Sequence, residues 1–246
     1  MLITTPQRGT YHVSAGIDSY YEYLLKQWLQ SNRTATRYRD QYLLAVHGIA
    51  STLVSRNHNF TVLGSTGEGY ESEMHHLSCF IPGMLALGYH NGLPRWHLTL
   101  AEHLMRTCYY MVVSQATGVG PETAYFDDKQ LYTVNSQNVL RPEVAESLFV
   151  LYAVTRDTTY QDWGWELFQG YERSSRVCSG FSGLYDTQST NFLYRIDRME
   201  SGFLSGTLKY LYLLFADVGK TFLDDWLFNC HGHLLKKQAL PSAVFY

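Results

Sequence analysis

Three short segments of this chain carry pairs of carboxylates at spacings that suit acid–base chemistry. The pairs are Asp18 and Glu22, Glu143 and Glu146, and Asp197 and Glu200. Glu143 and Glu146 are three residues apart, so on a helix they share one face near its start. Two carboxyl groups that flank a bond can act as general acid and general base, as in the hydrolysis of a glycosidic bond.

Each of these acids also has a purely structural interpretation. Asp18 directly precedes a helical pattern, where an aspartate commonly serves as the N-cap. Glu22, Glu143 and Glu146 fall in first turns, where the helix dipole favours negative charge. Residue type and spacing alone leave both interpretations open.

The hydrophobic periodicity predicts a mainly helical protein. Apolar side chains recur on one helix face between Pro94 and Gly118, after Pro142 and before Gly219. Further helices are predicted at Ser19–Gln30, Thr36–Arg56, Cys79–Gly88 and Thr159–Arg173. Short strands are predicted at Phe60–Leu63 and Trp226–Phe228.

The helices arrive in pairs, and long loops rich in Gly, Ser and Tyr separate them. No low-complexity linker interrupts the sequence, so residues 1–246 are predicted to belong to one domain. This organisation favours an all-α toroid of paired helices whose long loops and short β-hairpins carry the functional site. A helical solenoid would look similar, but no fixed-period repeat is visible.

Composition excludes several functional classes. The net charge is −3 and no long basic run occurs, so a nucleic-acid partner is not indicated. No run of 18 apolar residues is present, which excludes a membrane span in this chain. The start at Met1 lacks the charged and apolar regions of a signal peptide, so we expect neither signal nor anchor here.

Five stretches, in order along nearly the whole chain, resemble signature segments of the class I α-1,2-mannosidases, glycoside hydrolase family 47. They are Asp18–Lys26, Met74–Gly83, Arg141–Ser147, Tyr160–Glu166 and Thr207–Phe215. The resemblance covers the second half of the family's catalytic domain and is nearest to the ER and Golgi enzymes that trim N-glycans.

The resemblance implies an inverting exo-mannosidase whose (α/α)7 barrel binds one Ca²⁺ at its base, with this chain as part of the barrel. Asp18 matches a catalytic carboxylate, and Glu143 matches the general base. The family's mannose-site positions are matched by His76, Arg141, Pro142 and Glu146. The implied partner is a high-mannose N-glycan or a glycoprotein that carries one.

Two of the four cysteines match a disulfide pair of the family. They are Cys79 and Cys108, whereas Cys178 matches no family role. A disulfide implies an oxidising compartment, and the family indicates the lumen of the ER or Golgi.

The sequence departs from the family at positions that bear on activity. Gly202 and Gly206 stand where the family has a sugar-packing phenylalanine and a glutamate of the polar shell. Gly16 replaces an arginine that trimming enzymes use in branch choice, and His75 replaces an acid.

The calcium motif also departs from the family pattern. Cys230 occupies the position of the calcium-binding threonine, and His231 replaces a carboxylate. Ca²⁺ prefers oxygen ligands and a thiol is soft, so weakened or lost Ca²⁺ binding is expected. An alternative is a transition-metal site made of Cys230, His231 and His233.

The family's first half, which has no counterpart before Asp18, supplies the general acid and about half of the helices. Since acid–base catalysis contributes roughly 10²–10⁴-fold, we expect negligible hydrolysis by this chain alone. The alternative function is a non-catalytic module of the same fold that binds mannose glycans. A third possibility is a decaying duplicate without function.

Overall fold

The computed structural model describes residues 10–57, 59–67, 69–216, 218 and 221–238. Helices dominate this part of the chain. They are α1 (Asp18–Gln30), α2 (Thr36–Thr52), α3 (Ile81–His90), α4 (Arg95–Val113), α5 (Glu143–Thr155), α6 (Thr159–Gly170), α7 (Lys209–Phe215) and α8 (Phe222–Asp225). A 3₁₀ turn (His76–Phe80) precedes α3, and π-helical turns follow α6 (Tyr171–Ser175) and precede α7 (Phe203–Leu208).

Short antiparallel strands connect the helices. They are β1 (Val54–Arg56), β2 (Thr61–Leu63), β3 (Ser65–Thr66), β4 (Tyr70–Glu71), β5 (Glu73–His75), β6 (Thr123–Phe126), β7 (Leu131–Asn135), β8 (Arg176–Val177), β9 (Gly180–Phe181), β10 (Gly183–Leu184), β11 (Arg195–Ile196), β12 (Trp226–Phe228) and β13 (Leu234–Lys236). They form two-stranded ladders and one three-stranded sheet, β5–β6–β7.

Most of the predicted elements are confirmed. Helix α4 buries Leu100, Leu104, Cys108 and Met111, the apolar face that the periodicity indicated. Strands β2 and β12 lie within the two predicted strand segments. Gly219, the predicted end of the last long helix, lies outside the described residues.

The predicted helix Thr36–Arg56 was too long. Helix α2 ends at Thr52, and Val54–Arg56 forms strand β1 instead. This strand pairs antiparallel with Thr61–Leu63. Tertiary pairing with a buried strand therefore overrides the local helical pattern at this end.

The long helices form an arc two layers deep. Helices α1, α3, α5 and α7 follow one another along the inner layer, each packed against the next. Helices α2, α4 and α6 form the outer layer, packed against α1, α3 and α5 respectively. The apolar core fills the space between the layers. The predicted pairing of helices is thus confirmed, and the described part of the chain forms an open arc.

The hairpin β12–β13 packs against the inner helices. The Phe228 ring contacts Phe149 of α5 and Tyr210 of α7, at centroid distances of 5.9 and 5.1 Å. At the far end of the hairpin, the side-chain amide of Gln30 donates to the Lys236 carbonyl at 2.8 Å. At the turn itself, Nζ of Lys209, the first residue of α7, donates to the Gly232 carbonyl at 2.6 Å, which holds the turn at the start of this helix.

The predicted disulfide between Cys79 and Cys108 is confirmed. It joins the 3₁₀ turn before α3 to the middle of α4, with Cα atoms 5.9 Å apart. Both cysteines are fully buried, whereas Cys178 and Cys230 are free and exposed. Among the described helices, none is long and apolar enough to cross a membrane.

Candidate active site

The starts of the four inner helices converge on one cavity of about 530 Å³. Its walls come from the first turns of α1 and α5, the turns that precede α3 and α7, and the turn of the β12–β13 hairpin. The acidic side chains in this lining are Asp18, Glu22, Glu143, Glu146 and Glu200. Carboxylates are good acceptors for hydroxyl donors, so the cavity suits a neutral ligand rich in hydroxyl groups.

Asp18 is the first residue of α1 and lines the cavity. The N-cap position belongs to Ile17, which makes no side-chain capping bond, so the N-cap interpretation of Asp18 is wrong. One carboxylate oxygen, Oδ1, accepts a hydrogen bond from the Ser19 backbone N–H at 2.8 Å. This contact orients the carboxyl group at the cavity wall.

Glu143 lines the same cavity from the first residue of α5, although 125 positions separate it from Asp18. Its Oε2 atom is buried and has no hydrogen-bond partner within the described part of the chain. Burial raises the pKa of Glu143 to about 8, against an opposing effect of the Arg141 charge. A buried oxygen without a partner costs free energy, which a donor on a ligand would recover.

Glu146 shares a buried cation with Glu22. The ammonium group of Lys26 forms an ion pair with Glu22 and lies 3.5 Å from Oε1 of Glu146. Burial raises the pKa of Glu146 to about 7, while the positive charge of Lys26 counteracts this rise. A single lysine therefore holds two cavity carboxylates in place.

Arg141 and Pro142 also line the cavity, directly before α5. The Arg141 guanidinium donates to both carboxylate oxygens of Glu122, through Nε at 2.9 and 2.7 Å. Its terminal nitrogen lies 2.7 Å from the same carboxylate. This bidentate pair fixes the plane of the guanidinium.

His76 does not belong to the cavity lining, unlike the other matched mannose-site residues. Its side chain is buried, and Nδ1 lies 3.3 Å from the Pro121 carbonyl oxygen. Burial lowers its pKa, so the ring is neutral near pH 7. Its Nε2 atom has no hydrogen-bond partner among the described residues.

Gly202 and Gly206 both line the cavity, at the opening turns of the segment that leads into α7. A Cβ atom added at Gly202 would meet nothing within 4 Å. At Gly206 it would lie 2.7 Å from Cβ of Pro142. The first glycine therefore leaves open space, whereas the second permits close packing against the start of α5.

Cys230, His231 and Gly232 form the hairpin turn at the cavity. Gly232 has φ +73°, and an added Cβ would lie 2.1 Å from the Ser205 carbonyl oxygen, so only glycine fits this approach. The Tyr23 hydroxyl donates to the Cys230 thiol at 3.5 Å. A thiol and an imidazole at this turn are a poor donor set for Ca²⁺.

The transition-metal alternative at Cys230, His231 and His233 gains no support. In the part of the chain that the structure describes, no three His, Cys, Asp or Glu side chains form a group that could hold a metal ion. The backbone amides of both histidines instead donate to Oδ1 of Asn229, at 3.0 and 2.9 Å.

Sequence reasoning missed Glu122 and Lys26 as parts of the site. Lys26 lies four residues after Glu22, a helical ion-pair spacing that could have drawn attention to it. Glu122 had no comparable local signal, because its partner Arg141 lies 19 residues further along the chain.

Comparison with known proteins identifies the family of this chain. Residues 3–237 match the model of Glycosyl hydrolase family 47. The chain belongs to glycosyl hydrolase family 47. Among curated family 47 members, the endoplasmic reticulum mannosyl-oligosaccharide 1,2-alpha-mannosidase of Mus musculus is 44% identical over 95% of this chain. The protein of the same name from Schizosaccharomyces pombe is 38% identical over 88% of it.

A solved structure of the family has the same fold. The alpha-1,2-mannosidase from Trichoderma reesei superposes on 94% of this chain with a TM-score of 0.87 and 27% sequence identity. This chain covers 54% of that chain, and 37% and 47% of the mouse and fission yeast proteins. The chain thus spans about a third to a half of the relatives it matches.

Proposed function

We propose that this chain forms the mannose-binding part of an inverting α-1,2-mannosidase that trims high-mannose N-glycans in the lumen of the ER or Golgi. The observation that carries the proposal is the single cavity shared by Asp18 and Glu143. The names of the family 47 relatives support the substrate class. The buried disulfide between Cys79 and Cys108 supports an oxidising compartment.

In this proposal, Glu143 is the general base that takes a proton from the attacking water. A base must be ionised, and burial raises the pKa of Glu143 to about 8. Glu143 is therefore mostly ionised, and able to act as a base, above pH 8 or when a bound ligand lowers its pKa. Asp18 supplies a second carboxylate at the same cavity.

The remaining cavity residues position the sugar. We assign Glu146, held by Lys26, as an acceptor for mannose hydroxyls, and Arg141, held by Glu122, as a donor. Pro142 forms a wall of the cavity. His76 lies near the ion pair of Arg141 with Glu122, because the charges of both residues act on its pKa.

We propose low activity for this chain on its own. In our proposal the arc is part of an (α/α)7 barrel, and the part without a counterpart here supplies the general acid. Gly202 and Gly206 present neither a ring nor a carboxylate to the cavity. With Cys230 and His231 at the hairpin turn, Ca²⁺ binding is weakened or lost, and no step here depends on it.

A second candidate is a mannose-glycan-binding module without turnover. One pattern in the cavity lining favours this module. The lining keeps Asp18, Glu143, Arg141 and Glu146. It has Gly202, Gly206 and Cys230 where the family has a phenylalanine, a glutamate and the calcium-binding threonine. Hydroxyl recognition would then persist without hydrolysis.

Proton NMR of the chain mixed with α-1,2-linked mannobiose distinguishes the two candidates. The mannosidase proposal predicts slow release of β-mannose, on the order of 10²–10⁴-fold below a complete enzyme, and none from Asp18→Asn. Binding without any release favours the module. No binding at all would contradict both.

A further inference from the structure

Two tripeptides in this chain have the form Asn-x-Thr, the acceptor sequence for N-linked glycans. They are Asn32-Arg33-Thr34 and Asn59-Phe60-Thr61. The lining of the cavity includes neither asparagine. Such tripeptides also arise by chance, so the surroundings of each asparagine decide between a structural role and a glycan.

Asn32 has a structural role in the turn between α1 and α2. Its φ is +51°, in the left-handed region that asparagine tolerates better than most residues. Its backbone N–H donates to the Leu29 carbonyl at 3.0 Å, and the residue is half-buried. The backbone conformation therefore accounts for an asparagine at this position without a glycan.

Asn59 lies in the turn between β1 and β2 and is exposed. Asn57 holds this turn, because its Oδ1 atom accepts hydrogen bonds from the backbone N–H groups of Asn59 and Phe60 at 3.1 and 2.7 Å. The Phe60 ring anchors the turn in the core, with its centroid 5.0 Å from that of Phe126. The turn is therefore held by residues other than the Asn59 side chain.

The side chain of Asn59 makes one long hydrogen bond. Its Nδ2 atom lies 3.4 Å from the Asp128 carbonyl oxygen, beyond the usual range for an N–H···O hydrogen bond. The amide carries two N–H donors, so one remains for this contact when a sugar replaces the other hydrogen. A glycan on Nδ2 is therefore compatible with the folded turn.

Asn59 also lies away from the cavity. Its contact Asp128 is at the turn of the β6–β7 hairpin, whereas Glu122, the partner of Arg141, directly precedes β6. Strand β6 has four residues, so about 13 Å of strand separates these two ends. The attachment point for a glycan is thus at the end of this hairpin that is remote from the mannose site.

We propose that Asn59 is an N-glycosylation site. The donor is an oligosaccharide linked to a lipid through pyrophosphate. The Asn59 amide nitrogen attacks C1 of its first sugar, the N–C1 bond forms, the C1–O bond to pyrophosphate breaks, and the nitrogen loses a proton. Thr61 completes the acceptor sequence but is buried in β2 of the folded protein, so transfer precedes the packing of this strand.

This modification rests on the proposed lumenal location, and expression behind a cleavable signal peptide in cultured eukaryotic cells tests it. The full chain is recovered from cells and medium and treated with peptide-N-glycosidase in heavy-oxygen water. The enzyme converts a glycosylated asparagine to a labelled aspartate, which peptide mass spectrometry locates. We expect the label at Asn59 of the wild-type chain, and none there without the glycosidase.

Four variants separate the acceptor sequence from its surroundings. By intact mass, Asn59→Gln and Thr61→Val should each lose one glycan-sized increment, and Thr61→Val keeps a β-branched side chain in the buried strand. Thr61→Ser retains an acceptor sequence and should keep the increment. Asn32→Gln is the matched control at the other tripeptide and should keep the label at Asn59.

Unmodified Asn59 in wild-type protein whose Cys79–Cys108 disulfide has formed would overturn the inference, because the disulfide shows entry into the oxidising lumen. A label at Asn59 that persists in Thr61→Val would overturn it too. Mannobiose binding by the glycosylated chain is measured separately. Its absence would contradict the proposed function and leave Asn59 as a glycan site.

Discussion

The Lys26 ammonium nitrogen lies 3.5 Å from Oε1 of Glu146 while also forming an ion pair with Glu22. All three side chains are largely buried, with exposures of 14% or less. Removing the shared cation would leave two buried carboxylates without compensation. Breaking a buried pair in this way costs roughly 3–5 kcal/mol.

Lys26→Met is therefore expected to lower the free energy of unfolding by about that amount at pH 8. The loss should shrink toward pH 5, where the uncompensated carboxyls bind protons. Urea titrations at both pH values measure it, and adding Glu22→Gln to the variant should restore part of the stability. A pH-independent loss would show that Lys26 acts through packing alone.

Glu143 makes the fold more sensitive to alkaline pH. Its pKa rises from 4.5 to about 8 on folding, so the native state favours the protonated form. The contribution of Glu143 to the free energy of unfolding is fully present below pH 4.5 and is lost as the pH rises through about 8. Glu143→Gln removes the ionisation, and we expect it to stabilise the protein at pH 9 by roughly 2–5 kcal/mol.

At pH 4 the same substitution should change the free energy of unfolding little, because both forms are then neutral. Thermal unfolding across the pH series checks this difference. An equal effect at pH 4 and pH 9 would contradict the raised pKa. Asp40→Asn, at an exposed carboxylate on α2, is the control.

Gly202 and Gly206 should respond in opposite ways to the same substitution. Alanine at Gly202 meets open space and gains helix propensity, so we expect stabilisation of up to about 1 kcal/mol. Alanine at Gly206 approaches Pro142 and should destabilise by about 1–3 kcal/mol. Urea unfolding of the two variants measures the contrast, and equal effects would contradict the packing.

Calcium affinity should depend on the hairpin turn. Replacing Cys230 with threonine and His231 with glutamate supplies oxygen donors in place of a thiol and an imidazole. Calorimetric titration with Ca²⁺ should show at least tenfold tighter binding to Cys230→Thr/His231→Glu than to wild type. Gln238→Glu, which adds a carboxylate outside the cavity, should leave affinity unchanged. Tight binding by the wild-type chain would contradict the proposed loss.

Local patterns in the sequence were sufficient to predict most helices, including the start of α5, which carries Glu143 into the cavity. The apolar spacing in α4 and the proline before α5 act within a few residues, and the structure follows them. The ordered resemblance also predicted the Cys79–Cys108 pairing, which no local pattern could assign.

Features that depend on long-range contacts could not be predicted in the same way. Strand β1 forms because Val54–Arg56 pairs with β2, and the helical pattern carried no sign of that partner. The contacts of Lys26 with Glu146 and of Arg141 with Glu122 arise only after the inner helices converge. Likewise, only packing shows that His76 lies outside the cavity lining.

Calorimetric binding of α-1,2-linked mannobiose tests most directly whether Asp18 and Glu143 form one mannose site. We predict one ligand per wild-type chain. A lost hydrogen bond to a charged group costs about 1.5–3 kcal/mol. At pH 9, above the pKa of about 8 of Glu143, Asp18→Asn and Glu143→Gln should therefore each weaken binding roughly 10–100-fold, with Asp40→Asn unchanged. If both cavity variants bound the disaccharide as tightly as wild type, the central claim would be contradicted.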